Sequence, residues 1–179
     1  MRLIALIVAL FAASAPAGAQ GWQEYEYPNE TFTVAFPAAP KIETTSYRAP
    51  GSRMVEARVY SVLQEGGEFK VTVADMSDIE QSEGNVMAYA VFMLSRRGEL
   101  KFNFPHVTRR VIGRQASIVG ADGSQTYASV FFHNRRLYQI EGTVPAGGLT
   151  ADAFRFQQSF DFTDGWRLPE RPGNEPRAR

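Results

Sequence analysis

The side chains able to do chemistry are few and scattered. Only two histidines occur, His106 and His133. His106 follows Pro105 just ahead of an expected strand, and His133 sits in an expected hairpin turn. A zinc site needs three or four ligands at close helical or hairpin spacing, and neither histidine has a second histidine or a carboxylate so placed. Both are expected as surface or turn residues. Asp75, Asp78 and Glu80 put three acids into one stretch. Calcium takes about 6–8 oxygen ligands, and the EF-hand spacing of Asp, Asn and a central Gly is missing, so a solvated loop is expected. Cysteine is absent, which removes thiol catalysis, cysteine-ligated clusters and zinc sites, and disulfides.

No serine lies in Gly-x-Ser-x-Gly, and Gly123-Ser124 belongs to an Asp-Gly turn, not to a strand-to-helix elbow. Gly113, Gly120 and Gly123 make no phosphate loop, because no Gly-Lys-Ser/Thr follows; Gly113 and Gly120 are expected to bracket a short strand. Arginines pair at Arg96-Arg97, Arg109-Arg110 and Arg135-Arg136. Converged, they would make an anion or partner site. Neighbours along a strand face opposite ways, so only one of each strand pair can join a patch, and solvated surface is the expectation. Trp22, Tyr25 and Tyr27 stand either as a lid on the core or as an exposed strip for a partner; their alternation favours the core. The residues thus predict no catalytic, cofactor-binding or metal-binding set.

The elements that would position these residues are mostly strands. Phe32, Val34 and Phe36 alternate with Thr33 and Ala35, as on a half-buried strand, and Phe36-Pro37-Ala38-Ala39-Pro40 ends it. A strand is expected over 41–47, a turn at Pro50-Gly51-Ser52, and a hairpin of 54–62 with 68–76 around Gly66-Gly67. A helix is expected over 86–97, with Asn85 as N-cap, Arg96 and Arg97 at its negative end and Gly98 closing it. Strands at 107–112 and 115–119 follow, then the Ala121-Asp122-Gly123-Ser124 turn. A second hairpin, 125–132 with 136–144, flanks His133-Asn134-Arg135. Pro145-Ala146-Gly147-Gly148 breaks it, and a last helix over 151–160 has Thr150 as N-cap and Ala153, Phe156 and Phe160 on one face. Two strand blocks, each followed by a helix, predict an α+β domain with a mainly antiparallel sheet.

The ends carry a different message. Met1-Arg2, the apolar run 3–13 and Ser14-Ala15-Pro16-Ala17-Gly18-Ala19 have the form of a secretory signal peptide, 1–19, cleaved before Gln20. The apolar run falls short of the ~20 residues of a spanning helix, and no cysteine is present to take a lipid. Residues 167–179 hold three prolines and almost no apolar surface, which predicts a disordered tail. One domain, 20–166, remains. Removing the signal takes away Arg2 alone from 19 basic and 19 acidic residues, leaving a net charge of −1. That balance gives no electrostatic reason to seek nucleic acid or an anionic membrane.

The order of these landmarks resembles the PsbP-like superfamily, named after an extrinsic subunit of photosystem II. The shared features are an aromatic strand running into Phe36-Pro37-Ala38-Ala39-Pro40, a helix after the first sheet block, and a Gly113-Arg114-Gln115 step into a strand. A hairpin arm reading Arg-Leu-Tyr-Gln-Ile at 136–140 and a closing Phe-x-x-Ser-Phe helix at 156–160 complete the set. The resemblance spans about residues 23–162. It implies an α-β-α sandwich around an antiparallel sheet, and members that are mostly binding or assembly proteins. The metal-binding positions of the photosystem members find no match here, so no functional residue is carried over. Together these readings predict a periplasmic or secreted, non-catalytic binding or assembly module with another periplasmic or envelope protein as partner. A carrier of a small apolar ligand is the alternative, motivated by 13 Phe and 7 Tyr, and a hydrolase the third.

Overall fold

Alternation becomes burial at once in the first block: Phe32, Val34 and Phe36 are each fully buried, with half-exposed residues between them. The structure is a computed structural model that describes residues 21–164. The expected signal peptide and tail lie outside the described residues. The chain runs through β1 (Gln23–Tyr27), β2 (Phe32–Phe36), β3 (Lys41–Arg48), β4 (Met54–Gln64) and β5 (Gly67–Asp75) to α1 (Glu83–Ser95). It continues through β6 (Gly98–Thr108), β7 (Val111–Gly120), β8 (Gln125–His133) and β9 (Arg136–Val144) to α2 (Thr150–Ser159) and β10 (Asp161–Phe162).

Seven strands form one antiparallel sheet in the order β3-β4-β5-β9-β8-β7-β6, and β1-β2-β10 form a small second sheet. The two strand blocks meet where β5 pairs with β9, with Val71 opposite Ile140 and Val73 opposite Tyr138. The domain is α+β with a mostly antiparallel sheet, as its pattern predicts.

Side chains of alternate parity serve the two faces of the large sheet. One face carries Tyr60, Val62, Val71, Val73, Phe131, Tyr138 and Ile140, which pack with Phe156, Phe160 and the small sheet. The other carries Ala57, Ala74, Ala116, Ala128, Val130 and Leu137, which pack with Val86, Ala90, Val91 and Leu94 of α1. Alanines line this second face because a helix lies directly over it. On the first face Gly142 does the same for α2: a Cβ there would stand 2.8 Å from the Ala153 Cα.

Several local expectations are corrected. Ser82, not Asn85, caps α1, its Oγ accepting the Asn85 N–H at 3.3 Å, so the helix starts at Glu83 and stops at Ser95. Gly98 opens β6 instead of closing the helix. β6 itself extends far ahead of Val107, so His106 lies within a strand; Pro105 and a bulge between Leu100 and Phe102 break the pattern that would have shown it. The pair Arg109-Arg110 is the hairpin turn between β6 and β7, and Gly113 lies inside β7, where its missing Cβ leaves room for the Phe131 ring. Leu149 rather than Thr150 takes the cap position of α2, with no side-chain cap.

Candidate functional site

Two hairpin turns stand side by side at one end of the sheet. Arg109 and Arg110 have φ of 44° and 68°, and Asn134 and Arg135 have φ of 49° and 59°. Two successive positive φ angles make a tight turn whose twist suits the flanking strands. Because Gly113 pairs with Phe131, these turns are neighbours. Two of the three arginine pairs therefore share this end. The third does not: Arg97 reaches inward to Glu141.

The charges at this end are largely spent on holding it together. Arg109 Nε donates to Asp161 Oδ2 at 2.5 Å. Arg135 donates to the Ser77 carbonyl, and Arg136 Nη1 to the Asn29 carbonyl at 2.7 Å. Asp164 takes both His133 Nε2, at 3.1 Å, and the Asn134 side-chain amide, at 2.6 Å. The carboxylate partner of His133 thus comes from 31 residues away, out of reach of any local spacing rule. His106 is tucked beside Phe131, with ring centroids 5.6 Å apart, and burial holds its pKa below the ordinary histidine value.

What the end leaves open is two grooves with Arg109 as their common wall. One, of about 600 Å³, has a floor of Met87, Val111, Ile112 and Phe132 and a rim that includes Glu83, Arg110, His133 and Asp164. Ile112 is 66% exposed, and its cross-strand partner Val107 is 58% exposed, so the apolar floor continues onto open sheet. The other, of about 630 Å³, lies between Glu24 and Glu26 of β1 and Thr108, Asp161 and Thr163.

The other sequence candidates resolve into structure. Asp75 accepts the Ser77 N–H at 2.8 Å, and hydrogen bonds from Ser77 hold its pKa below the usual carboxylate value. Among the described residues no group of three or more His, Asp or Glu is placed to hold a metal ion. Ser124 Oγ donates to Asp122 at 2.6 Å within its own turn. Trp22, Tyr25 and Tyr27 pack against the core, Trp22 edge-on to Phe69 at 5.0 Å. The remaining rings pack on one another: Phe131 stacks on Phe160 at 5.8 Å, and Phe156 lies 5.0 Å from Phe36.

One polar cluster has no counterpart among the sequence candidates. Glu141 on β9 is 2% exposed. Arg97 pairs with its Oε2; Gln139 donates to Oε1 at 2.6 Å and Lys70 Nζ stands 3.7 Å from that oxygen. Tyr47 closes the set by donating to Gln139 at 3.2 Å. Burial alone raises the Glu141 pKa, but Lys70, Arg97 and the hydrogen bonds outweigh it and leave the pKa below the ordinary value. Its signal in the sequence is a lone acid inside an apolar strand.

No protein-family model matches the chain, and no curated protein matches its sequence. The fold is matched by the solution structure of cyanobacterial PsbP (CyanoP) from Synechocystis sp. PCC 6803, with a TM-score of 0.54 and 14% identity. The match covers 85% of this chain and 98% of that one. The fold is PsbP-like. At this identity the likeness carries the course of the backbone and no side chain. The PsbP-like fold therefore leaves function to what this chain displays: two grooves on one end, a helix-covered polar cluster, and no helix among the described residues long and apolar enough to cross a membrane.

Proposed function

We propose that the protein is an exported, non-catalytic binding or assembly module, and that another periplasmic or envelope protein seats in the groove floored by Met87, Ile112 and Phe132. The observation that carries this reading is the exposed Val107–Ile112 pair beside that groove. Apolar side chains paired on open sheet and rimmed by charges of both signs have the anatomy of an interface: a dry centre and a polar edge. The PsbP-like fold agrees in general terms, its namesake being an accessory subunit. The layering, α1 on one face and α2 with the small sheet on the other, supports the α-β-α sandwich. A carrier role has no observation behind it, since the aromatic rings fill the core themselves.

The test is site-directed. Ile112→Glu changes an exposed side chain, so the fold should persist with an unchanged melting temperature. A photocrosslinker placed at Val107 should give one discrete adduct in the native envelope fraction, at least tenfold weaker in Ile112→Glu. The same fraction should yield a chain beginning at Gln20. A crosslink pattern indifferent to Ile112→Glu, or a chain recovered only as a monomer across growth conditions, would sink the proposal.

A further inference from the structure

A smaller cavity, of about 200 Å³, lies at the other end of α1 from the Met87 groove. Met93 and Leu94 of the last turn, Arg97 just beyond it, Tyr47 and Arg48 at the end of β3, and Gln139 of β9 line it. Met93, Leu94 and the Tyr47 ring supply apolar surface. Arg97, Gln139 and the Tyr47 phenol belong to the polar cluster around Glu141: Tyr47 donates to Gln139 at 3.2 Å, Gln139 to Glu141 at 2.6 Å, and Arg97 pairs with Glu141. That chain leaves donors over. The Arg97 guanidinium spends one amine on Glu141 and keeps its other N–H groups. The Gln139 amide gives one N–H to Glu141 and has a second, on a residue only 8% exposed. Among the described residues no further acceptor meets either group. A donor so far from bulk water calls for an acceptor.

The local charges say which acceptor. Lys70 Nζ stands 3.7 Å from both Glu68 and Glu141, Arg97 pairs with Glu141, and Arg48 meets no acid among the described residues. Three cations against two acids leave one positive charge over. The carbonyls at the end of α1 would oppose an anion, but Arg96 and Arg97 follow that end and offset its partial negative charge. Burial, with Glu141 nearby, pushes the Tyr47 phenol above its ordinary pKa, so it stays neutral. A monoanion matches the surplus, and a dianion exceeds it. A carboxylate suits the planar edge of a guanidinium. The apolar wall asks for an apolar body behind that carboxylate. Sites for drug-sized ligands start at about 300 Å³, so the body here is short.

We infer that this cavity binds a small organic acid, its carboxylate held by Arg97, Arg48 and the Gln139 amide and its short aliphatic body against Met93 and Leu94. It is an anion site at the margin of the α1 core, not a store for an apolar molecule within the core, and it does not depend on the partner proposed for the Met87 groove. Hexanoate is the probe. Titrated into the isotopically labelled full-length chain, it should shift the Met93 methyl and Gln139 side-chain amide signals together and saturate with a Kd of about 1 mM or tighter. Acetate lacks the body, hexanol lacks the charge and sulfate carries one charge too many; each should bind about tenfold more weakly or worse. Dodecanoate should bind no tighter than hexanoate. Arg48→Gln, at an exposed side chain, should keep the melting temperature and weaken hexanoate about tenfold. Met93→Glu, which sets a competing acid in the cavity, should abolish binding. Failure of hexanoate to saturate, or sulfate or hexanol binding as tightly, would overturn the proposal. So would hexanoate binding unchanged in Arg48→Gln. A gain with the longer chain would assign the site to a lipid-derived acid and overturn it as well.

Discussion

Glu141 shows what a single residue does in this protein. Its side chain is 3% exposed, whereas Arg97, its closest partner, is 46% exposed. Burying a carboxylate costs several kcal/mol, and the cost is met only when cations and donors replace the lost water. Arg97, Lys70 and Gln139 do so here and fasten the end of α1 to the middle of the sheet. Glu141→Gln leaves both cations without their shared counter-charge. Breaking such a pair costs about 3–5 kcal/mol, and the water around Arg97 puts the expected loss toward the lower end. The pH dependence has a definite sign. The folded pKa is depressed, so the unfolded chain takes up the proton first as the pH falls. The stabilisation is complete above the ordinary carboxylate range and is lost as the pH drops through the folded value. Urea unfolding should show wild type far more stable at pH 7 and the gap narrowing with acid. A constant gap would mean that the charge of Glu141 is not what stabilises the fold.

Elements meet through the residues between them, and the closest meeting is α2 on β9. A Cβ on Gly142 would stand 2.8 Å from the Ala153 Cα and 2.9 Å from its carbonyl oxygen, both backbone atoms that cannot swing aside. Gly142→Ala should therefore lift the helix and cost about 1–3 kcal/mol, as overpacking does. Gly84→Ala is the matched control: it lies in the first turn of α1 with nothing within 4 Å of the added methyl, and should gain about 0.5–1 kcal/mol. Thermal melting of the two variants should move in opposite directions; equal shifts would remove the close approach as an explanation. Elements of this kind were legible where periodicity is local. The Phe32–Val34–Phe36 alternation, the hairpin at Gly66-Gly67 and the buried helix face of Ala153 and Phe156 all appear in the sequence as they stand in the fold, whereas Phe160, expected on that face, is the extended residue that ends α2. β6 was not legible, because Pro105 and the bulge interrupt its alternation and its turn uses two arginines where Asn-Gly would announce a hairpin. The candidate site was less legible still. Glu141 meets Arg97 across 44 residues and His133 meets Asp164 across 31, distances that only the strand order closes.

At the scale of the whole molecule the question is whether two strand blocks make one cooperative unit. In the large sheet they are joined only by the β5–β9 ladder. A molecule held by that seam alone would open there first. Both cores cross it, however. One unites Val71 and Val73 of the first block with Tyr138, Ile140 and Phe156 of the second, and the other unites Ala57, Ala74 and Val86 with Ala128 and Leu137. Opening the seam exposes both cores together, so its local cost approaches that of global unfolding. The edges differ: β3 has scarcely a buried side chain, while β9 is buried along most of its length. Hydrogen exchange should therefore rank β5, β8 and β9 as the slowest strands, with exchange free energies equal to the global value from urea unfolding. The amides of β3 and the outer part of β6 should exchange by fraying, with much smaller values. If β5 and β9 exchanged ahead of β7 and β8, the seam would be a hinge between two separately stable halves, and a single unfolding free energy would not describe the protein.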